Sequence, residues 1–538
     1  MAQHIRHGLA GSVSPPSWPA GEDGDGEADV VEAEAEVYSP SRFDPVARAA
    51  STVIGGPAGR RLASAVGFWG AAPILVLLSG VTLALGLLQK QHCRAQGWSS
   101  PDQFWHACYS DIPVLYSSRA LGAHPRPSLG HALGSGGLGQ SPLAGTMMWL
   151  TSRFVSNSPT AGREYFDLSA VLLTLALVVA VAAVAFTAGS RSWDAAHLAL
   201  SPVIITAGLI SYELLAVALT ALALLALARA RPVLGGLLFG LAVDSAPQVA
   251  LLGLVVAVLA ARYLYQRQAG LVFAGSALGC WFVVRILLLT GLTGGLGPAF
   301  RSWRDSVPGY GSFWLVPQLL GASNPQPATS IGGRAIQGLF GWIFDVGALG
   351  GRPAAVLSVF FFVILAAGVV RYTILADPPA ERDDFATFVT DRVAPLTLAL
   401  LAVLLLTIKS LPVQESLLLL PFIALSGLPW RDHLIWAATE VVYFVGVWLY
   451  IGGDTTPSHG LPASFYLILL LARLAGIGWV GAQGVQAYRR AALVDVWPEP
   501  GYGPTGAEAF SGEQISSQAD DAGRLLTDRG VPVSHHAG

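Results

Sequence analysis

Lysine is almost missing from this chain: Lys90 and Lys409 are the only two in 538 residues, and every other long basic side chain is arginine. Charge of either sign is scarce, at 12% of the sequence with a net charge of −3. No basic stripe follows from that, which argues against nucleic acid as a partner. Glycine patterns of the Walker and Rossmann kinds are missing, so nucleotide chemistry is not expected. There is no H-E-x-x-H and no paired cysteine cluster, and His92, His106, His124 and His131 show no ligand-like spacing. No metal and no cofactor are therefore expected. The first fifty residues lack the apolar stretch of a cleavable signal peptide, which leaves the first membrane helix as the targeting signal.

What is present is apolar. Hydrophobic residues make up 53% of the chain, too many for an ordinary soluble domain. Apolar runs of spanning length recur from residue 65 to 487: 65–88, 166–188, 194–210, 211–228, 233–244, 246–261, 270–290, 353–374, 391–408, 411–428, 432–452 and 462–487. The short pairs at 194–228 and 233–261 also read as helical hairpins that do not each cross fully. No alternating pattern suggests a barrel, so the spanning region is helical. The expected fold is an all-α polytopic membrane protein with about twelve membrane helices in 59–490. Polar tails at 1–58, which carries the acidic run Glu22 to Glu36, and at 491–538 read as disordered.

Arg60 and Arg61 precede the first span and Arg489 and Arg490 follow the last. Arg191, Arg229, Arg231, Arg262, Arg267, Arg371 and Arg431 fall in the even-numbered connections. The positive-inside rule then puts both termini in the cytoplasm and turns loops 89–165 and 291–352 outward at the cell membrane. Asp111, Glu213, Asp244, Lys409, Gln414 and Glu415 all gather on the outer side. Polar groups among apolar segments are costly and suggest a site, although each alone could cap a helix end at the headgroups.

The first outer loop is the most informative stretch. Ser100-Pro101-Asp102-Gln103 reads as a helix start, with Ser100 as N-cap, and Phe104, Cys108 and Ile112 repeat at i+4. Pro113 should end that helix, leaving Asp111 on its last turn, where the helix dipole opposes ionisation. A carboxyl pushed toward neutral pH there suits a general base. Asp111 reads equally as a solvated surface carboxylate or a turn-former. Cys93 and Cys108 share this loop, and an oxidising exterior permits a disulfide; free thiols are the alternative. Gly134-Ser135-Gly136-Gly137 marks a lid or an idle linker, and Met147-Met148-Trp149-Leu150 suits an interfacial helix. In the second outer loop, the aromatics of Tyr310-Gly311-Ser312-Phe313-Trp314 can stack on sugars or form an interfacial belt. Arg285, near the outer end of its span, could grip a phosphate bidentately. Glu440 and Arg473 lie inside spans and read as a structural pair.

Taken together, Cys108-Tyr109-Ser110-Asp111-Ile112, Ser211-Tyr212-Glu213-Leu214-Leu215-Ala216-Val217, Tyr310-Gly311-Ser312-Phe313-Trp314 and Lys409 through Gln414 resemble the GT-C membrane glycosyltransferases. Within that class the chain looks like actinobacterial family 87, which includes polyprenyl-phosphate-mannose-dependent mannosyltransferases. The likeness extends over most of 65–487. It implies a GT-C-like fold and transfer of a hexose, mannose in the known members, from a polyprenyl-phosphate sugar to a glycolipid or glycan acceptor outside the membrane. Asp111 inherits the role of general base. Lys409 and Arg285 become contacts to the donor phosphate, with Gln414, Glu213, Asp244 and Tyr109 as further substrate-binding positions. The chain departs from the family pattern at Glu213, where Asp is common, at Asp244-Ser245-Ala246-Pro247-Gln248, and at Lys409-Ser410-Leu411-Pro412-Val413-Gln414-Glu415, where the family has K-x-x-S-P-Q-Y. A transporter or flippase for a lipid-linked sugar, or a silent membrane scaffold, are the alternative functions.

Overall fold

The computed structural model describes residues 44–46, 71–118, 121–123, 127–133, 138–263, 266–289, 296–323, 351–374, 384–456 and 459–496. Most of both tails, residues 65–70 of the first expected span, Gly134 to Gly137 and residues 324–350 lie outside them. Among the described residues all regular structure is helical. We number the helices used below α1 (Ala71–Gln89), α2 (Gln91–Gln96), α3 (Asp102–Trp105), α4 (Asp111–Ser118), α5 (Pro142–Ser152), α6 (Ala161–Ala188), α7 (Pro202–Ala207) and α8 (Glu213–Ala228). There follow α9 (Pro232–Ser245), α10 (Ala250–Arg262), α11 (Arg267–Leu289), α12 (Leu296–Asp305) and α13 (Gly351–Ile374). The last four are α14 (Ala394–Thr407), α15 (Leu420–Leu425), α16 (Trp430–Thr455) and α17 (Ala463–Val496).

Seven described helices are long and apolar enough to cross a bilayer: Ala71–Gln89, Ala161–Ala199, Arg267–Leu287, Gly351–Ile374, Phe385–Thr407, Trp430–Gly453 and Ala463–Ala492. Their outward faces are greasy. Leu77 on α1, Leu278 and Leu287 on α11 and Val356 on α13 are each about two-thirds exposed, as lipid-facing positions should be. At the centre, α14 is buried along almost its whole length. Where lipid supplies no hydrophobic drive, close approach needs small residues. The α9–α11 contact shows this: a Cβ on Gly240 would stand 2.7 Å from the Ala277 carbonyl oxygen, and one on Gly236 would strike the Phe273 carbonyl.

Two of the expected spans are not continuous helices. Residues 194–210 break into a 3-10 turn ending at Ala195, a four-residue helix Ala196–Ala199, and α7. The breaks have local causes. Pro202 has no amide to extend a helix from upstream, and just before the segment Gly189, at a φ of +58°, ends α6. Residues 411–428 likewise run from Pro412 through the 3-10 turn Val413–Leu419 into α15, with Pro421 near its start and Gly427 at φ +60° after it. Backbone this irregular is tolerated at membrane depth only when packed inside protein, and residues 417–425 are buried throughout. The expected helix ending at Ile112 is also corrected. Only α3 forms there, its N-cap is Pro101 rather than Ser100, and a new helix begins at Asp111.

Candidate active site

The site grows from the end of α1. Lys90 follows that helix directly and is fully buried, its ammonium donating 2.9 Å to the Tyr109 carbonyl and lying 4.8 Å from the Phe444 ring centre. Cys93 on α2 is disulfide-bonded to Cys108, with Cα atoms 5.8 Å apart. This cross-link returns the chain to the membrane end of α1 just before Tyr109 and Asp111. Tyr109 packs against Phe104 and Trp448 and donates its hydroxyl, at 2.7 Å, to Asp111 Oδ1.

Asp111 opens α4 instead of closing a helix, and Pro113 falls in the first turn, where proline lacks nothing the helix needs. At this position the helix dipole acts the other way, because a helix N-terminus favours a carboxylate. Burial nevertheless dominates: it raises the Asp111 carboxyl, against lowering by the Tyr109 hydroxyl and the Lys90 charge. The same burial brings the Lys90 ammonium down to about 7, with Asp111 pulling the other way. A largely buried acid and a fully buried ammonium thus act on each other electrostatically, each moved toward neutral pH.

Asp111 is held from below by the first broken segment. Its amide donates 2.9 Å to the Ile210 carbonyl, and the Ser110 hydroxyl donates 2.8 Å to the Leu209 carbonyl. The second broken segment supplies Gln414, whose amide nitrogen donates 3.3 Å to Asp111 Oδ2. Glu213, in the first turn of α8, lies within electrostatic reach of Asp111 and of Glu415. Gln248 donates 2.9 Å to Glu415 Oε1. Glu213 Oε2, Glu415 Oε2 and Gln248 Oε1 are buried with no hydrogen-bond partner among the described residues. Asp111, Gln414, Glu213, Glu415 and Gln248 therefore form one polar patch lined by acceptors. Hydroxyls of a sugar would satisfy such a set.

The Glu440–Arg473 pair anchors the patch. Arg473 Nε meets Glu440 Oε2 at 2.9 Å, both side chains buried, and its remaining nitrogens donate to the carbonyls of Leu411 (2.7 Å) and Pro412 (3.1 Å) and to the Ser416 hydroxyl (3.0 Å). Five fixed donors suit arginine to a carbonyl cage. Arg473 thus fixes the bend that carries Gln414 and Glu415.

Two expected phosphate contacts are engaged elsewhere. Lys409 is buried, and its ammonium donates to the carbonyls of Trp303, Arg304 (3.2 Å), Ser306 (2.8 Å) and Gly351 (3.2 Å). An ammonium has three protons, and all are spoken for by the C-terminal end of α12 and the first residue of α13. Arg285 faces Asp244 at 2.7 Å, an ion pair not aligned as a hydrogen bond, so Asp244 is this arginine's counter-ion. The Tyr310 to Trp314 motif is also structural. The Leu411 amide donates to the Tyr310 carbonyl (3.1 Å), Trp314 Nε1 donates to the Thr407 carbonyl (2.8 Å), and Gly311 takes φ +82° where a Cβ would strike the Leu411 carbonyl.

Linear spacing passed over two features. Lys90 is a cation that acts electrostatically on Asp111, and a lone lysine at the end of the first span was the available signal. His92, Asp102 and His106 converge once the disulfide folds the loop. Comparison of the chain with protein-family models, with curated proteins and with solved structures finds no match in any of the three.

Proposed function

We propose that the protein is a membrane glycosyltransferase of GT-C type that moves a hexose, mannose by its resemblance, from a polyprenyl-phosphate sugar to a glycolipid or glycan acceptor. On this reading four shorter apolar helices, Glu213–Ala228, Pro232–Ser245, Pro247–Arg262 and Val413–Leu425, join the seven long ones toward the expected dozen. Both termini are cytoplasmic and the Asp111 patch faces outward. The observation that carries the reading is the placement of Asp111: a half-dry carboxylate oriented by Tyr109 and Gln414, beside unsatisfied buried acceptors.

Asp111 takes the proton of an acceptor hydroxyl as that oxygen bonds to the anomeric carbon. The bond from that carbon to the phosphate oxygen breaks, its electron pair leaves with the polyprenyl phosphate, and the configuration inverts. Lys90 favours the ionised form of Asp111 against its burial; Lys409 and Arg285 have no part in the step. Membranes incubated with labelled polyprenyl-phosphate mannose should yield a labelled glycolipid or glycan, and Asp111→Ala and Asp111→Asn should abolish it with expression intact. General-base catalysis contributes about 10²–10⁴-fold, so retention of more than about a tenth of the activity removes Asp111 from the mechanism.

One observation favours a second reading. Broken helices bearing buried carboxylates also build substrate sites in transporters. In that case the labelled donor crosses the membrane unchanged and no new glycosidic product forms.

A further inference from the structure

The first outer loop holds a cluster that the transfer reaction does not use. His92 lies on α2, one residue before Cys93; Asp102 opens α3; His106 follows α3, two residues before Cys108. The disulfide therefore forces the two imidazoles together. Their ring centres are 3.5 Å apart and the planes 16° from parallel. Between them sits one carboxylate: His92 Nε2 is 2.8 Å from Asp102 Oδ2, and His106 Nδ1 is 3.1 Å from Asp102 Oδ1. The three ligand atoms lie within 4.8 Å of one another. All three residues are partly exposed, so an ion has a path in from solution.

We propose that His92, Asp102 and His106 bind one borderline divalent transition-metal ion, of the zinc class, as a second staple on the α2–α3 loop. Two imidazole nitrogens and a carboxylate oxygen form the donor set such ions take, whereas calcium and magnesium require mostly oxygen. Small rotations about χ1 and χ2 open the ligand atoms to the roughly 3.3–3.6 Å separations implied by about 2.0–2.2 Å bonds in a tetrahedron. Water fills the remaining coordination position. The ion does no chemistry on the sugar. It fixes α2 to α3 on the solvent side, as the disulfide does on the membrane side, and so holds Tyr109 and Asp111 in register with Ile210.

The test uses full-length protein in detergent with its affinity tag removed, stripped with chelator and dialysed against zinc. Wild type should retain one equivalent more than the His92→Gln/His106→Gln double variant, and zinc should raise the melting temperature of wild type alone. Cobalt in place of zinc should give the strong visible absorption of a four-coordinate site in wild type and lose it in Asp102→Asn, a variant that keeps size and shape. Thiol labelling verifies that each variant retains the Cys93–Cys108 bond. Equal zinc retention by wild type and the double variant would place the metal elsewhere, for example on histidines of the tails, and would overturn the proposal. So would the absence of any retained equivalent in wild type. Neither result bears on glycosyl transfer, which is read separately.

Discussion

Replacing Lys90 with methionine separates what this residue does for the site from what it does for the fold. Its ammonium is buried without contact to water, and its lowering from 10.5 to about 7 corresponds to about 5 kcal/mol disfavouring the charged form. Methionine matches the length of the stem and removes that cost. It leaves the Tyr109 carbonyl without its donor, a loss of about 1–3 kcal/mol. The first effect exceeds the second, so the melting temperature of Lys90→Met should equal or exceed that of wild type at neutral pH. The effect on Asp111 is not offset. Without the neighbouring charge its carboxyl rises further, which leaves less carboxylate on the acid side of its titration. The sign of the pH dependence is then fixed. The acid limb of transfer activity should move to higher pH in the variant. At about pH 9, where Lys90 of the wild type is itself neutral, the two proteins should converge. Lys90→Arg, which keeps its charge, should not converge in this way. The assay is transfer from labelled polyprenyl-phosphate mannose across that pH range, with the melting temperature measured in parallel. A constant activity ratio between Lys90→Met and wild type from about pH 6 to about pH 9 would refute the coupling of this lysine to Asp111.

Lys409→Met should lower the melting temperature by the equivalent of about 3–5 kcal/mol, because four carbonyls around the buried ammonium lose their donor; a rise in donor KM with unchanged stability would instead restore a phosphate-binding role. Cys93→Ser with Cys108→Ser should cost about 3 kcal/mol for a loop of 15 residues, and reducing agent should reproduce the shift in wild type but not in the double variant. Arg473→Lys should destabilise nearly as much as Arg473→Met, since one ammonium cannot reach Glu440, Leu411, Pro412 and Ser416 together; thermal melting of the purified proteins distinguishes the cases.

The apolar runs and their helical character were legible because chain length in a bilayer is set by its thickness, and α1, α6, α11, α13, α16 and α17 follow the expected spans closely. The failures fall where composition and backbone part company. Residues 194–210 and 411–428 are apolar runs of spanning length, so hydropathy alone reads them as continuous helices. Proline and positive-φ glycine break them. Asp111 was recognisable as a special carboxylate, yet its place at the start of α4 was not, because proline can end one helix or begin the next. Lys409 and Arg285 were sound candidates by position. Which partner a buried cation takes depends on tertiary contacts that spacing does not encode.

The broken segments also explain why the polar patch can exist. A continuous helix satisfies its own carbonyls and presents only side chains, whereas a bent one offers free carbonyls as acceptors. Here the freed groups are used at once: Leu209 and Ile210 receive Ser110 and the Asp111 amide, while Leu411 and Pro412 receive Arg473. The carboxylates of Asp111, Glu213 and Glu415 therefore meet on backbone that is fixed at both bends. Glu213 Oε2 and Glu415 Oε2 are left without a partner among the described residues, so the patch can accept donors from outside the chain, while Tyr109 and Gln414 fix the direction in which Asp111 presents its carboxylate.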